Sequence, residues 1–188
     1  MIVLTGFEKF SRYKMNLSET LVNQFEDQIG NNQILKAILP VSWKRSILCY
    51  KNKVSNLSEL PNLVILLGIY SGPEVRIERY SWNVSVGLDE DNKFRLSPIK
   101  LMAKLRIKMA LTLKNITSIE IQRPKVVYSN YMGTFLCNYV YFKAMLIAAG
   151  RYPVMFIHIP DQGKLSELKF IVKQIIFLAI KALKQNTS

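Results

Sequence analysis

Short apolar runs alternate along the chain with longer amphipathic stretches, and that rhythm predicts strands and helices in turn. Ile2-Val3-Leu4, ending at Thr5-Gly6, reads as a central strand whose C-terminal end opens into a loop. From Glu19 to Ile29, Leu21, Val22, Phe25 and Ile29 recur at helical spacing, with Gly30 as the stop. Ile34 to Val41 alternates as a strand, and Ser42 to Tyr50 returns to helical spacing. Leu63-Val64-Ile65-Leu66-Leu67 before Gly68 is the strongest buried-strand run, and Ile77 to Val86 reads as extended. Ser97-Pro98 has the form of a helix start, because proline needs no amide donor in the first turn; this helix is expected to reach about Met109. Lys125 to Ser129 is a further strand, leading through Asn130-Tyr131-Met132-Gly133 into a helix that passes Ala144 and Ile147 and stops at Gly150. Pro153 to Ile157 is a buried strand ending at Pro160, and a last amphipathic helix runs from about Leu165 to Lys184. This alternation implies a three-layer α/β/α sandwich, with helices on both faces of a mixed, largely parallel central sheet.

At 188 residues and 49% hydrophobic content, one domain over residues 1–188 can bury a core of native density. The cysteines are Cys49 and Cys137 alone, and the start of the chain lacks a signal-peptide pattern; both point to a reducing cytoplasmic compartment and exclude a disulfide framework. Ile175 to Ile180 is the longest apolar stretch, far short of the roughly 20 residues a membrane span needs, so no membrane partner is expected. A net charge of +13 raises the question of nucleic acid. However, Lys100, Lys104, Arg106 and Lys108 recur along one predicted helix, and Lys164, Lys169, Lys173, Lys181 and Lys184 along another. These are the marks of solvated faces, and no nucleic-acid-binding motif accompanies them. One histidine and two distant cysteines do not make a tetrahedral zinc site, and no glycine-rich phosphate loop is present. Neither metal nor cofactor is expected.

What remains is thiol chemistry. Cys137 lies in Gly133-Thr134-Phe135-Leu136-Cys137-Asn138-Tyr139-Val140, upstream of His158, the only histidine, and a thiol with an imidazole is what nucleophilic acyl transfer requires. With Thr134 as the N-cap, Cys137 falls in the first helical turn, where free amides and the macrodipole favour thiolate. His158 follows the apolar strand and stands near its end, and Glu78 is the candidate to orient the imidazole. Each residue also has a plain structural reading. Cys137 serves equally as a small buried hydrophobe, His158 as a core histidine, and Glu78 as a surface partner of Arg76 or Arg79. Cys49, spaced with Trp43, Ile47 and Tyr50, reads as core.

Taken in order, Leu4-Thr5-Gly6-Phe7-Glu8-x-Phe10, Ile77-Glu78-Arg79 with Asn83, Gly133-x-x-Leu136-Cys137-Asn138-Tyr139 and Phe156-Ile157-His158-Ile159-Pro160 resemble the pyroglutamyl peptidase I family, the pyrrolidone-carboxylate peptidases. The resemblance implies a cysteine peptidase that removes N-terminal pyroglutamate without a cofactor. It makes Cys137 the nucleophile, His158 the general base and later acid, and Glu78 the orienting carboxylate. Phe7, Phe10, Phe135 and Leu136 match positions lining the pocket for the pyrrolidone ring, and assembly as a homodimer or homotetramer is implied as well. The chain also departs from the family pattern. Ser11-Arg12 stands for a glycine pair, Gly72-Pro73 for Gly-Arg, and Leu88 for an arginine associated with the oxyanion; the segment from Asn92 to Ser97 is shortened. Arg76 and Arg79 are the candidate replacements. The alternative reading is a weakened or silent family member that binds a peptide or an anion through its basic charge.

Overall fold

The computed structural model describes residues 1–10, 15–114, 116, 119 and 124–186. Its strands are β1 (Ile2–Phe7), β2 (Gln28–Ile29), β3 (Asn32–Leu39), β4 (Leu63–Tyr70), β5 (Val75–Glu78), β6 (Tyr80–Trp82), β7 (Ser85–Leu88), β8 (Phe94–Ser97), β9 (Arg106–Lys108), β10 (Val126–Ser129) and β11 (Val154–Pro160). The helices are α1 (Leu17–Asn23), α2 (Trp43–Ser55), α3 (Leu136–Ala148) and α4 (Leu165–Asn186). Seven strands form the main sheet in the order β10-β5-β11-β4-β1-β3-β2. β3, β1, β4 and β11 run parallel, β5 is antiparallel to β11 and parallel to β10, and β2 is antiparallel to β3. The sheet is therefore mixed and largely parallel, as the alternation of elements predicts.

Side chains of successive strand residues point to opposite faces, and this splits the core in two. Ile2, Leu4, Ile65, Leu67, Ile77, Ile157 and Ile159 pack with Leu21 and Val22 of α1 and Leu168, Ile171, Val172 and Ile175 of α4. Val3, Phe7, Val64, Leu66, Val154 and Phe156 pack on the other side with Trp43, Ile47 and Tyr50 of α2 and Leu136, Val140 and Tyr141 of α3. Cys49 sits half-buried on α2 with its sulfur 3.7 Å from the Ile38 carbonyl oxygen.

Local expectations fail where tertiary contacts take over. The first helix ends at Asn23 rather than Ile29, and Gly30 is instead the positive-φ turn between β2 and β3. The expected helix from Ser97 to Met109 is absent. That segment completes β8, crosses a loop and forms β9, which pairs antiparallel with β6. Asn83 causes much of this: its side chain donates to the Lys100 carbonyl and accepts from the Lys100 amide, while Met102 takes a left-handed φ of 61° that no helix tolerates. Lys100, Lys104, Arg106 and Lys108 thus lie on a loop and a short strand, not along one helix face. Among the described residues, no helix is long and apolar enough to cross a membrane.

Candidate active site

Strand alternation brings the chemistry together. On β11, His158 shares a face with Val154 and Phe156, the face covered by α3; on β5, Ile77 joins the opposite core, so Arg76 and Glu78 project to the side of His158. His158 is the register partner of Arg76 on one side and of Gly68 on β4 on the other. Glu78 is fully buried, and its Oε1 lies 2.8 Å from His158 Nδ1. A carboxylate can only accept, so Nδ1 carries the proton and Nε2 is left as the basic nitrogen. The imidazole is further boxed by Phe156, at 4.7 Å between ring centroids, and by Tyr70, at 5.8 Å.

Cys137 enters from above. It occupies the second position of α3, and a Cβ built on Gly68 would stand 2.9 Å from its sulfur and 2.8 Å from Phe156 Cζ. Gly68, which reads from sequence as a strand stop, lies within β4 and is the bare spot that lets the sulfur settle beside the imidazole's strand. The N-cap is Phe135 without any side-chain cap bond, so Thr134 does not cap the helix; the Thr134 carbonyl instead accepts from the Val86 amide at 2.9 Å. First-turn amides have no intrahelical partners, and here the N-cap side chain accepts from none of them. Macrodipole arguments alone favour thiolate, yet the local field does the reverse. Desolvation, followed by the negative charge of Glu78, pushes the Cys137 thiol up to about 12. Burial and the Glu78 charge thus work against the thiolate that the helix position favours.

A cavity of about 370 Å³ joins these groups. Cys137, His158 and Glu78 border it, as do Phe7, Phe10, Phe135 and Leu136, together with Asn16, Tyr70, Arg76, Tyr131 and Met132, which sequence reasoning did not single out as lining residues. Phe135 is wedged in place: Trp43 meets its ring edge at 5.2 Å, and Gly87, at a φ of +136°, has room for nothing larger than hydrogen beneath it. Leu88 points outward, 56% exposed, and does not border the cavity. Of the two arginines considered as replacements, Arg79 lies over Tyr80 and Tyr128, bordering a separate recess, whereas Arg76 borders this cavity. Gly72-Pro73 lines a second depression beyond Tyr70, and Ser11-Arg12 lies outside the described residues.

Asn138 ties the two halves of the site to each other. Fully buried beside Cys137, it accepts from Ser81 Oγ and the Trp82 amide and donates to the carbonyls of Trp82 and Val84, all at 2.8–3.0 Å. The start of the cysteine helix is thereby fixed to the chain that follows Glu78. A lone amide inside the apolar run Phe135-Leu136-Cys137-Asn138-Tyr139-Val140 was the signal for it, since such a group must find partners.

The family model for pyroglutamyl peptidase matches residues 1–169. A pyrrolidone-carboxylate peptidase from Finegoldia magna is 31% identical over 170 residues, covering 85% of this chain and 78% of that protein. One from Thermococcus litoralis is also 31% identical over 170 residues, covering 85% and 76%. The solved pyrrolidone carboxyl peptidase from T. litoralis superposes with a TM-score of 0.90 at 26% identity, covering 98% of this chain and 95% of that one. Pyroglutamyl peptidase I from Bacillus amyloliquefaciens, at 19% identity and a TM-score of 0.84, shares the fold. The chain belongs to the pyroglutamyl peptidase family.

Proposed function

We propose that this chain is a cytoplasmic cysteine peptidase, working as one domain, that removes an N-terminal pyroglutamyl residue from peptides. The observation that carries the reading is the buried Glu78–His158 pair at 2.8 Å, with the Cys137 sulfur seated on Gly68, the register neighbour of that histidine. In this reading Phe7, Phe10, Phe135 and Leu136 hold the pyrrolidone ring in the cavity. His158 Nε2 takes the Cys137 proton as the sulfur attacks the acyl carbon, and amides of the uncapped first turn of α3 donate to the oxyanion. The C–N bond then breaks, the imidazolium proton goes to the departing amine, and water activated by the same imidazole hydrolyses the thioester.

Because the free thiol is neutral, proton transfer accompanies attack rather than preceding it. Glu78 stabilises the imidazolium that forms at that moment, which compensates for its opposition to a lone thiolate. Assembly into a homodimer or homotetramer belongs to the same reading, supported by the exposed apolar side chains of Leu88, Phe94 and Leu96 on the β7–β8 hairpin. Release of the amine from a pyroglutamyl chromogenic amide tests substrate class and nucleophile together. Cleavage is expected in the wild type and is expected to stop on thiol alkylation. Failure of the wild type on a panel of such amides, or full activity in Cys137→Ala, rejects the reading.

A further inference from the structure

We infer that Arg76 reads the leaving side of the substrate, favouring peptides with a carboxylate one or two residues beyond the scissile bond; this rests on the peptidase reading above. Strand order carries the inference. Gly68 on β4, His158 on β11 and Arg76 on β5 lie in one row across the face beneath α2 and α3, and Phe7 borders the same cavity from β1, on the side of β4 away from β11. His158 pairs with Gly68 and with Arg76, while β1 pairs with β4 as far as Thr5 and Leu66, two residues short of Phe7 and Gly68. The Cys137 sulfur lies over Gly68. Across the cavity, the site therefore presents an aromatic ring, the nucleophile, the imidazole and then the guanidinium.

The substrate has the same order. Its pyrrolidone ring is followed by the acyl carbon, the nitrogen that must take a proton, and the remainder of the peptide. With the carbon at the sulfur and the nitrogen at the imidazole, the remainder runs toward β5. Adjacent strands stand about 4.8 Å apart, which puts Arg76 roughly 10 Å along the row from Gly68. An extended peptide covers about 3.3–3.6 Å per residue, so the first or second departing residue comes within reach of the side chain.

Arg76 is held ready for an anion. Its Cζ stacks 4.2 Å from the Tyr70 ring centroid, and Nη2 lies 3.2 Å from Glu74 Oε2. Tyr70 in turn hydrogen-bonds to Glu74, through the carbonyl, the amide and the carboxylate. Stacking and ion pairing fix the plane of the guanidinium, which is the condition for recognition of a second carboxylate without further ordering. Glu78 is the other charged partner lining the cavity, and it is committed to His158, so Arg76 is the one guanidinium or ammonium bordering the cavity among the described residues. Glu74 moderates the positive field but does not border the cavity itself.

The test compares kcat/KM for pyroglutamyl-alanine and pyroglutamyl-alanine amide on the wild type, Arg76→Gln and Arg76→Lys. The wild type is expected to favour the free acid by about tenfold, chiefly through KM, the size of one charge-assisted contact. Arg76→Gln brings the acid-to-amide ratio close to one, whatever happens to its absolute rate, and Arg76→Lys keeps part of the preference. An equal ratio in the wild type and Arg76→Gln, or a wild-type preference for the amide, overturns the inference. A pyroglutamyl chromogenic amide with a neutral leaving group, run in parallel, separates the two levels. If the wild type cleaves it yet shows no acid preference, the inference about Arg76 fails alone; if it cleaves none of these substrates, the peptidase reading falls and this inference with it.

Discussion

Ile157 and His158 are consecutive residues of β11, yet they belong to opposite faces of the sheet with opposite physics. On the α1 and α4 side, Ile157 pairs with Ile77 inside an apolar cluster whose members need only volume and contact. Toward α2 and α3, His158 and Glu78 project from the same strands and bury a hydrogen-bonded imidazole–carboxylate couple that apolar packing cannot satisfy. Glu78 Oε2 is buried with no hydrogen-bond partner among the described residues, an arrangement that costs stability and persists where function uses it. The lesson is a division of labour: one face holds the strands rigid so that the other can hold a strained electrostatic arrangement in register.

The sharpest way to break this comparison is to substitute across a single peptide bond. His158→Ala is expected to lower kcat/KM for a pyroglutamyl amide by about 10³-fold or more per folded molecule, and to cost about 1–3 kcal/mol because it leaves the buried Glu78 carboxylate without its partner. Ile157→Ala should lose about 2–5 kcal/mol in denaturant unfolding while each folded molecule keeps its chemistry. Comparable activity losses in both, per folded molecule, would dissolve the distinction. Next in size is Gly68→Ala. An added methyl would stand 2.9 Å from the Cys137 sulfur, and kcat is expected to fall about 10²-fold as the sulfur is displaced, with KM moving less.

Asn138→Leu probes the joint between α3 and the Glu78 segment. Loss of its bonds leaves the buried Ser81 hydroxyl and the partly buried backbone groups of Trp82 and Val84 short of partners and should cost about 1–3 kcal/mol, read by thermal or urea unfolding. The smallest effect is a titration. With the Cys137 thiol raised to about 12, alkylation by iodoacetamide in a Cys49→Ser background should still be accelerating past pH 9; levelling near pH 7 would show a preformed thiolate. An unfolded thiol ionises near 8.5, below the folded value, so the unfolded state sheds its proton first as pH rises. Stability contributed by the neutral buried thiol is therefore complete below about pH 8.5 and is lost progressively toward 12. Cys137→Ser should flatten that part of the alkaline stability curve.

Much of the fold was legible because its strands are continuous runs of Val, Leu and Ile, such as Leu63 to Leu67, which only a doubly covered sheet accommodates. Cys137, His158 and Glu78 could be picked out as candidates, but their roles and the four cavity-lining apolar residues came from the resemblance of the motifs that carry them to a known family. The segment after Ser97 could not be read: Pro98 and the spacing of Ile99, Ala103 and Ile107 satisfy a helix, but Asn83 and pairing with β6 capture the backbone instead. Likewise, the direction of the Cys137 titration depends on enclosure by β4 and on a carboxylate from another strand, neither of which local sequence encodes. Gly68 escaped notice as a site residue because a glycine announces a close approach only once its neighbour is known.

The β7–β8 hairpin backs one wall of the cavity, because Gly87 lies directly against the Phe135 ring that borders it. Its inner surface presents Gly87 to the Phe135 ring and anchors to Trp43 through the Lys93 carbonyl and the Asp89 carboxylate, while Leu88, Phe94 and Leu96 face outward. The position of the Phe135 ring, one boundary of the space open to a bound ring, thus rests on a two-stranded hairpin outside the central sheet. Changes on its outer surface, whether by substitution or by a contacting molecule, can retune selectivity while leaving sulfur, imidazole and carboxylate untouched.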